Sequence, residues 1–587
     1  MGILQAALIG LVALIITPGY FFYFDVTPKV AVVLVGTAAA LVWAAFSQDG
    51  TAGVSRAFSL LIALEVVSLA LSAALSGRPA LSLIGTNWRR YGALLQATAL
   101  TFAWLVAWHT AGQPNRIRTI LRAVAATGAA ASLYGIAQYF GWDPFLPAAA
   151  YHVGEGFWTI VRPPGTLGYV SYFATWLLFT VFLSLTLARM ENSAPSRRIA
   201  YAAAALALVA MLLTGTRAAI LGLAVGACVW LFWTGFRIPR SWLLAAAGIC
   251  IALAAFYVSP AGHPLRSRMR WFVEDPWGGA RPHLWRDSLA MFLHRPAAGY
   301  GPETFTAEFP RFESLELARA YPDFVHESPH NIFLDAAVAQ GLPGLILLCG
   351  LLALGFRTAN PGLAAALAAG IVAQQFTVFT LSTALITFTT VALAISENRG
   401  SLRVSKLAFL PATLLLYAAI RLMASDHALA LTQRSLTLAD EASAATRYAQ
   451  YQRWRLPGSG AELWYSRASL SLAEKTNNPV VRFQALLQAA GAGVRATQTA
   501  EDPGNAWYSL AVVYAAQNEP ANTEKCLRAA AHANPNWFKP HWTLARLLRL
   551  QGRLPEARSE AETAVRCDGG KNVEVSRTLT EIRAAPM

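Results

Sequence analysis

Charged residues are scarce in this chain of 587 residues, of which they make up only 13%. Apolar residues make up 55%, and the mean hydropathy is +0.42. A soluble domain has about one quarter charged residues, so the composition excludes an ordinary soluble protein. The apolar residues form blocks of about 20 residues, the length of helix that crosses a hydrocarbon core. Because these blocks do not alternate polar and apolar residues, a membrane β-barrel is excluded as well.

Cysteine and the familiar catalytic signatures are also scarce. The five cysteines form no C-x-x-C pair, and the spacing of Cys526 and Cys567 does not indicate a disulfide. The sequence contains no Walker-type phosphate loop, no G-x-S-x-G elbow and no pair of carboxylates in a short outward loop. A substrate would therefore have to arrive already activated, and we expect no cofactor.

The net charge of +15 does not indicate a nucleic-acid partner. The arginines lie mostly between apolar blocks, where they orient helices in a membrane. No arginine-rich helix carries interleaved aromatic residues, as a nucleic-acid interface would. We therefore expect the positive charge to act at the membrane surface and not on a nucleic acid.

Hydropathy predicts an all-α fold, in which a polytopic bundle of about 12–13 transmembrane helices precedes a soluble helical repeat domain. The stretch 362–396 is too long for one span and short for two, and counting it as one would move the C-terminus across the membrane. The first block has no basic n-region and no small-residue cleavage site, so we interpret it as a retained span. The predicted spans are 3–22, 28–46, 57–76, 91–109, 118–139, 166–188, 198–214, 217–234, 241–258, 331–356, 362–378, 380–396 and 407–423.

Basic residues near the span ends predict the orientation, because cytoplasmic connections are enriched in them. One set of connections carries Arg56, Arg116, Arg118, Arg122, Arg189, Arg197, Arg198, Arg237, Arg240, Arg357, Arg399, Arg403 and Lys406. The connections on the other side carry only Lys29, Arg78, Arg89, Arg90, Arg162 and Arg217. The N-terminus is therefore predicted inside, and the large loop 259–330 and residues 424–587 outside.

The C-terminal region 424–587 contains an internal repeat with a period of about 34 residues over 500–568. The matching pairs are Tyr508 with Trp542, Leu510 with Leu544, Ala511 with Ala545, Gln517 with Gln551, and Ala530 with Ala564. This pattern resembles tetratricopeptide repeats, with a degenerate third copy in 435–495. Such arrays bind peptides or partner proteins, and the alternative interpretation is a packed lid or spacer.

Polar residues of unusual type collect in the outward segments. Several arginines at one membrane face suit a polyanion anchored in lipid, because a guanidinium group matches two phosphate oxygens. Anchoring to lipid headgroups is the alternative explanation for any single arginine. Arg217 lies between two apolar blocks with almost no loop, so its charge is expected to have a dedicated partner. The segments are GTNWRRYG (85–92), RPPGTLG (162–168), TGTR (214–217), RPHLWR (281–286) with HRP (294–296) and GYG (299–301), and HESPHN (326–331) with QGLPG (340–344).

His330 is a candidate general base, because it precedes a predicted span at the interface. A helix N-terminus favours the neutral imidazole that a base needs, although a structural role is the alternative. His326 and His330 also satisfy the H-E-x-x-H zinc pattern, which requires one continuous helix. Pro329 opposes such a helix, so we expect no metal site here.

The ordered set of motifs resembles the O-antigen ligase/polymerase family. The resemblance covers about residues 80–400 and rests on TGTR, RPHLWRDSLAMFLHRPAAGYGPETF and HESPHNIFLDAAVAQGLPG, with GTNWRRYG and RPPGTLG upstream. Members of this family transfer a glycan from a polyprenyl-diphosphate lipid to an acceptor hydroxyl on the periplasmic side, without nucleotide or metal. The resemblance therefore implies a bacterial inner-membrane enzyme with a membrane domain at 1–423.

The resemblance also implies roles for individual residues. His330 would be the general base, and Arg217 and Arg281 would hold the diphosphate. Arg162, Arg89, Arg90 and His326 are secondary candidates, and the sequence does not decide which of Arg89 and Arg90 points inward. The C-terminal repeats depart from the simplest members of the family, so the acceptor stays open between a glycolipid core, a growing polymer and a protein. A non-enzymatic scaffold or transporter, whose repeats recruit polysaccharide machinery, is the alternative of another class.

The predicted topology can be tested with a reporter fused after residue 587. Alkaline phosphatase at this position should be active and a fluorescent protein that folds only in the cytoplasm should be dark, because an odd number of spans follows an inside N-terminus. The reverse pattern would place the repeat domain in the cytoplasm and contradict the topology.

Overall fold

The computed structural model describes residues 1–47, 54–147, 150–153, 160–235, 240–274, 279–396, 404–458 and 460–585. Within these ranges the regular secondary structure is almost entirely helical, which confirms the predicted all-α class. One antiparallel strand pair, β1 (His152–Val153) and β2 (Ile160–Val161), is the only sheet in the described ranges. Arg237, Arg399 and Arg403, which contribute to the predicted orientation, lie outside them.

The first half of the chain forms a helical bundle. Its helices are α1 (Gly2–Leu14), α2 (Thr27–Phe46), α3 (Arg56–Ala74), α4 (Pro79–Ile84), α5 (Ala93–Thr110), α6 (Pro114–Tyr139), α7 (Val170–Met190), α8 (Ala194–Leu213), α9 (Arg217–Trp233) and α10 (Arg240–Val258). The large loop contains α11 (His263–Glu274), α12 (Arg281–His294), α13 (Phe305–Glu308) and α14 (Leu315–Ala320). The bundle is completed by α15 (Ile332–Gly355), α16 (Pro361–Ala373), α17 (Leu381–Ile395) and α18 (Phe409–Thr437).

Seven of the described helices are long and apolar enough to cross a membrane by length and composition. They are α2, α3, α6, α7, α8, α15 and α18 with the short 3-10 turn before it. Four further apolar helices, α1, α9, α16 and α17, are shorter. The stretch 362–396 therefore contains two helices, and its two halves run in opposite directions across the bundle.

The bundle helices alternate in direction between two faces. At the face that we call the upper face, the start of α15 meets the end of α16 through a hydrogen bond from Ile332 N to Gln374 O of 3.2 Å. At the opposite, lower face, the connection after α5 meets the end of α17 through Gly112 N and Ser396 O at 2.8 Å. The predicted basic connections that the structure describes lie at the lower face. The site segments and the C-terminal domain share the upper face.

Close helix packing holds the bundle together where lipid supplies no hydrophobic driving force between helices. Gly222 and Gly226 of α9 allow α16 to approach so closely that a Cβ on Gly222 would lie 2.6 Å from the carbonyl oxygen of Ala369. Gly370 of α16 similarly lies against the ring of Phe179 in α7. These contacts fix the position of α9, whose first residue is Arg217.

Helix α15 is kinked at Gly341, where the backbone adopts φ 72° and ψ −161°. The kink frees backbone groups that must find partners in the bundle interior. The segment 296–301 of the large loop supplies these partners and thereby joins α12 to α15. Three hydrogen bonds join them: Tyr300 N to Val338 O (2.9 Å), Gly301 N to Ala339 O (2.8 Å) and Leu342 N to Pro296 O (2.7 Å).

The C-terminal part consists of antiparallel helix pairs. Its helices are α19 (Glu441–Trp454), α20 (Glu462–Lys475), α21 (Pro479–Thr499), α22 (Pro503–Ala516), α23 (Pro520–Ala533), α24 (Phe538–Leu550), α25 (Leu554–Asp568) and α26 (Val573–Ala584). The helix α18 passes through the expected domain boundary at 423 and leads into this part.

The residues that the 34-residue period pairs occupy equivalent positions in α22–α23 and α24–α25. Leu510 and Leu544 are buried in one apolar cluster. Gln517 and Gln551 each cap the C-terminus of the first helix of their pair. The period therefore corresponds to one helix pair, and the assignment of these pairs to the tetratricopeptide class stays a prediction.

The kink predicts that replacing Gly341 destabilises the protein more than replacing a glycine of similar backbone conformation elsewhere. Gly341→Ala places a Cβ 2.5 Å from Pro296 O in a left-handed backbone, whereas Gly141→Ala has the same handedness (φ 85°) with no described atom within 4 Å. Left-handed backbone alone costs an alanine about 1–2 kcal/mol, and overpacking adds about 1–3 kcal/mol. Thermal unfolding in detergent should show a clearly larger loss for Gly341→Ala. Equal losses at the two positions would mean that the loop does not fill the kink.

Candidate functional site

A cavity of about 490 Å³ opens at the upper face between the first turns of several helices. Segments that are distant in the sequence form its wall, and each brings a polar or aromatic side chain. The chemically informative lining residues are Lys29, Arg89, Tyr169, Tyr172, Glu327 and His330. A smaller cavity of about 270 Å³ adjoins it and shares Asp25, Gly168 and Tyr169 with it. Arg162 lines this second cavity, so the RPPGTLG segment is the wall between the two.

His330 lies in a non-helical segment directly before α15. Its backbone is left-handed (φ 51°), which costs a non-glycine residue about 1–3 kcal/mol. The neighbouring residues stabilise this conformation: Trp285 Nε1 donates to Pro329 O at 3.0 Å, and Asn331 caps α15 by accepting from the amides of Phe333 and Leu334. The imidazole is therefore held at the cavity by a strained but well-supported backbone.

The environment of His330 favours the neutral imidazole. Burial, and then the positive charges of Arg281, His326 and Arg89, lower its pKa to about 4. The side chain therefore stays unprotonated at neutral pH and gains a proton only as the pH falls toward 4. A neutral imidazole can accept a proton, which is the property that a general base requires.

His326 does not share a helix face with His330, because α15 begins only at Ile332. Its ring packs instead among the rings of Phe309, Tyr321 and Phe324. Burial lowers the pKa of His326 to about 4, and burial also raises that of Glu313, which lies 3.7 Å away, to about 7. The H-E-x-x-H pattern therefore lacks the helix that a zinc site of this type needs, and His326 supports the wall of the site.

Arg217 and Arg281 are each the first residue of a helix. Arg217 begins α9 after the TGTR turn, and Arg281 begins α12, where its guanidinium lies 5.8 Å from the ring centre of Phe376. The positive end of a helix dipole disfavours a cation and attracts an anion. Both positions therefore combine a fixed positive charge with a helix N-terminus, as an anion-binding site would.

Arg268, which we did not predict, joins Arg162, Arg217 and Arg281. Arg268 of α11 packs over the TGTR turn, where its Cγ would lie 2.7 Å from a Cβ on Gly215. Burial and then the like charges of Arg162, Arg217 and Arg281 lower the pKa of Arg268 to about 10. The structure thus brings four arginines, from four separate segments, into one electrostatic cluster. The sequence signal that could have indicated Arg268 is the run of three closely spaced arginines, Arg266, Arg268 and Arg270, in the large loop.

Arg89 and Arg90 point in different directions. Arg89 lines the cavity and is only 4% exposed. It forms an ion pair with Glu303, and its Nη1 lies 4.0 Å from Oδ2 of Asp335. Although burial opposes its charge, Glu303 and Asp335 raise the pKa of Arg89 overall. Glu303 is a second important residue that we did not predict, since a lone glutamate in a long loop carries no pattern.

Arg90 adopts a left-handed backbone (φ 54°) and donates to the side chain of Asn87. Asn87 in turn donates from Nδ2 to Gly460 O at 3.0 Å, and its backbone amide donates to Glu501. The GTNWRRYG turn therefore places one arginine in the cavity wall and the other at the contact with the C-terminal helices. Only Arg89 is positioned to act on a ligand in the cavity.

The comparison with known families gives one match. Residues 202–349 match the model of a protein family described as O-antigen ligase. The matched segment includes Arg217, Arg268, Arg281 and His330, and ends within α15. A search of curated proteins gives no match.

The helical architecture and the family match support one class of protein. The described helices are those of a multi-pass membrane protein, and the match at residues 202–349, which covers only part of the chain, supports a glycan-processing protein of the O-antigen ligase/polymerase type. The family implies a lipid-linked glycan as substrate.

The buried Arg89–Glu303 pair predicts a difference between two glutamate substitutions. Glu303→Ala leaves the charge of Arg89 buried without its main partner, which costs about 3–5 kcal/mol. Glu316→Ala removes an exposed partner of Arg286 and should cost far less, because water screens the charges of an exposed pair. Thermal unfolding of both variants in detergent measures the difference. If Glu303→Ala were as stable as Glu316→Ala, the ion pair would not be the main support of the cavity wall.

Proposed function

We propose that this protein transfers a glycan from a polyprenyl-diphosphate carrier to an acceptor hydroxyl at the upper face, which is the periplasmic face of the bacterial inner membrane. The observation that carries the proposal is the position of a neutral histidine beside a cluster of four arginines. Arg281 links the two parts, because its charge acts both on His330 and on Arg268.

The arginine cluster is suited to the diphosphate of the donor. Guanidinium groups bind phosphate oxygens in pairs, and their mutual repulsion is relieved when an anion binds among them. Arg217 and Arg281 supply the two central charges, and Arg162 and Arg268 add to the same field. The cluster stabilises the leaving group, which takes up negative charge as the glycosyl bond breaks.

His330 is suited to activate the acceptor. The acceptor oxygen attacks C1 of the first sugar, its proton passes to the imidazole, and the bond between C1 and the phosphate oxygen breaks. The bonding electron pair leaves with the polyprenyl diphosphate. The donor already contains the activated bond, so the step consumes no nucleotide. The imidazole takes up the proton of the acceptor, and the arginines balance the negative charge of the leaving diphosphate.

The aromatic wall of the cavity is suited to a sugar. Tyr169 and Tyr172 line the cavity beside His330, and Trp88 lies next to Arg89 in the same wall. Aromatic faces pack against the apolar faces of sugar rings while their polar edges form hydrogen bonds. Tyr169 belongs to both cavities, so it lies between Arg162 of the smaller cavity and His330 of the larger one.

Substitutions at the two parts of the site should reduce transfer to different extents. His330→Ala removes the general base and should lower the rate about 10²–10⁴-fold. Arg217→Ala or Arg281→Ala should lower it about 10²–10³-fold, because each removes one charge that stabilises the leaving diphosphate. The measurement is the amount of polyprenyl-diphosphate-linked glycan that accumulates in cells complemented with each variant, determined by mass spectrometry.

Two matched substitutions serve as controls. His427→Ala changes a half-buried histidine that contacts Tyr20, and Arg286→Ala changes an exposed arginine on the same helix as Arg281. Both should leave transfer unchanged. Full transfer by His330→Ala and Arg217→Ala would contradict the proposal. The undecorated molecule that accumulates beside the donor, whether lipid core, single repeat unit or protein, identifies the acceptor.

A further inference from the structure

A second, separate cleft of about 720 Å³ lies at the upper face between the large loop and the helices α22 and α23. Its basic lining residues come from four parts of the chain: Arg78 after α3, His294 and Arg295 at the end of α12, Arg311 before α14, and His532 of α23. The reaction proposed above does not use any of these residues. The motifs HRP and GYG, which form one wall, have a structural role at the kink of α15 but no assigned ligand.

The charge in this cleft is predominantly positive. Three guanidinium groups face one lining carboxylate, Glu308, which pairs with Arg311 at 3.1 Å. The side chain of Arg311 is nevertheless 70% exposed, and the guanidinium of Arg295 lies 5.1 Å from the ring centre of Tyr300. Burial lowers the pKa of Arg78; the carboxylates of Glu308 and Asp502 oppose this shift, and the like charge of Arg311 adds to it. An anion in the cleft would relieve this repulsion.

The position of the cleft relates it to the proposed site. Arg281 begins α12 and Arg295 follows its last residue, so the helix separates them by about 20 Å. A single diphosphate does not reach both ends of this helix. An extended glycan does, because it continues from the reacting sugar along the same face. The buried ring of Tyr300 and the half-buried ring of Phe312 line the cleft beside Arg295 and Arg311.

We propose that this cleft binds an anionic saccharide, namely a segment of the acceptor glycan that carries carboxylate or phosphate groups. The choice of a glycan rests on the proposed function. An acidic peptide would meet the same arginines, but the cleft lies along α12 from the proposed reacting groups and has aromatic rings beside its charges, which favours a saccharide. In this role the C-terminal helices complete a binding site, because Pro503 and His532 line the cleft together with Arg295.

The test is equilibrium binding to the full-length protein in nanodiscs of zwitterionic lipid. The probes are tetragalacturonic acid and pentamannose monophosphate, with neutral maltotetraose and tetraglutamate as comparisons. We expect both anionic saccharides to bind, and the variant Arg295→Glu with Arg311→Glu to bind them at least about tenfold more weakly, because each arginine supplies a charged hydrogen bond. The carboxylated and phosphorylated probes distinguish the two kinds of acidic glycan.

The control Arg577→Glu reverses an exposed arginine on α26 and should leave binding unchanged. Arg217→Ala should also bind the probes normally, so that loss of transfer and loss of cleft binding are separate results. If the double variant does not fold, Arg295→Gln and Arg311→Gln replace it. The proposal would be overturned if the anionic saccharides did not bind, or if the variants bound them as tightly as the unchanged protein does. Equal affinity for maltotetraose would overturn it as well. Binding of tetraglutamate as tight as that of the saccharides would assign the cleft to an acidic peptide.

Discussion

The buried ion pair between Arg89 and Glu303 is the interaction on which the site depends. Taking two charges out of water is unfavourable unless they meet with good geometry, so neither residue tolerates loss of the other. The pair joins the turn before α5 to the large loop, and Asp335 adds the first turn of α15. Thr86 donates a further hydrogen bond from its amide to Glu303, at 3.0 Å. One electrostatic requirement thus holds together three segments that surround the cavity.

The kink of α15 extends this requirement to the reacting groups. A helix that breaks inside a bundle must satisfy the backbone groups that it frees, and the segment 296–301 does so. Because this segment follows α12 directly, the kink fixes α12 relative to α15. Arg281 and His330 lie at the starts of these two helices. The distance between the proposed leaving-group site and the proposed base is therefore set by the backbone hydrogen bonds between segment 296–301 and α15, which are remote from both residues.

The C-terminal helices contact the segments that form the site. Asn536 donates to Glu313 O at 2.7 Å, and Trp537 donates to Asp323 at 3.1 Å. Asp323 directly precedes Phe324, which lines the main cavity. The repeat region is therefore part of the surroundings of the proposed acceptor, and a deletion of this region would change the wall of the site as well as any partner binding.

Sequence patterns were most informative where local physics decides the outcome. Apolar block length predicted the positions of the bundle helices, and the 34-residue period matched the helix pairs of the C-terminal part. Arg217 could be singled out because it lies between two apolar blocks with almost no loop, where a charge is costly and hence rare. His330 was recognisable by its position before a span, and Pro329 correctly argued against a helix through the zinc-like pattern.

The sequence by itself determined the fold class, the alternation of the helices and the candidate residues, because hydropathy and charge near helix ends are local properties. Only the tertiary structure decided that Arg89 and not Arg90 lines the cavity, that Arg268 joins the cluster, and that Glu303 balances a buried charge. These three outcomes depend on which distant segments meet. Such meetings are set by packing and by the pairing of buried charges across more than 200 residues of chain, and no local pattern records them.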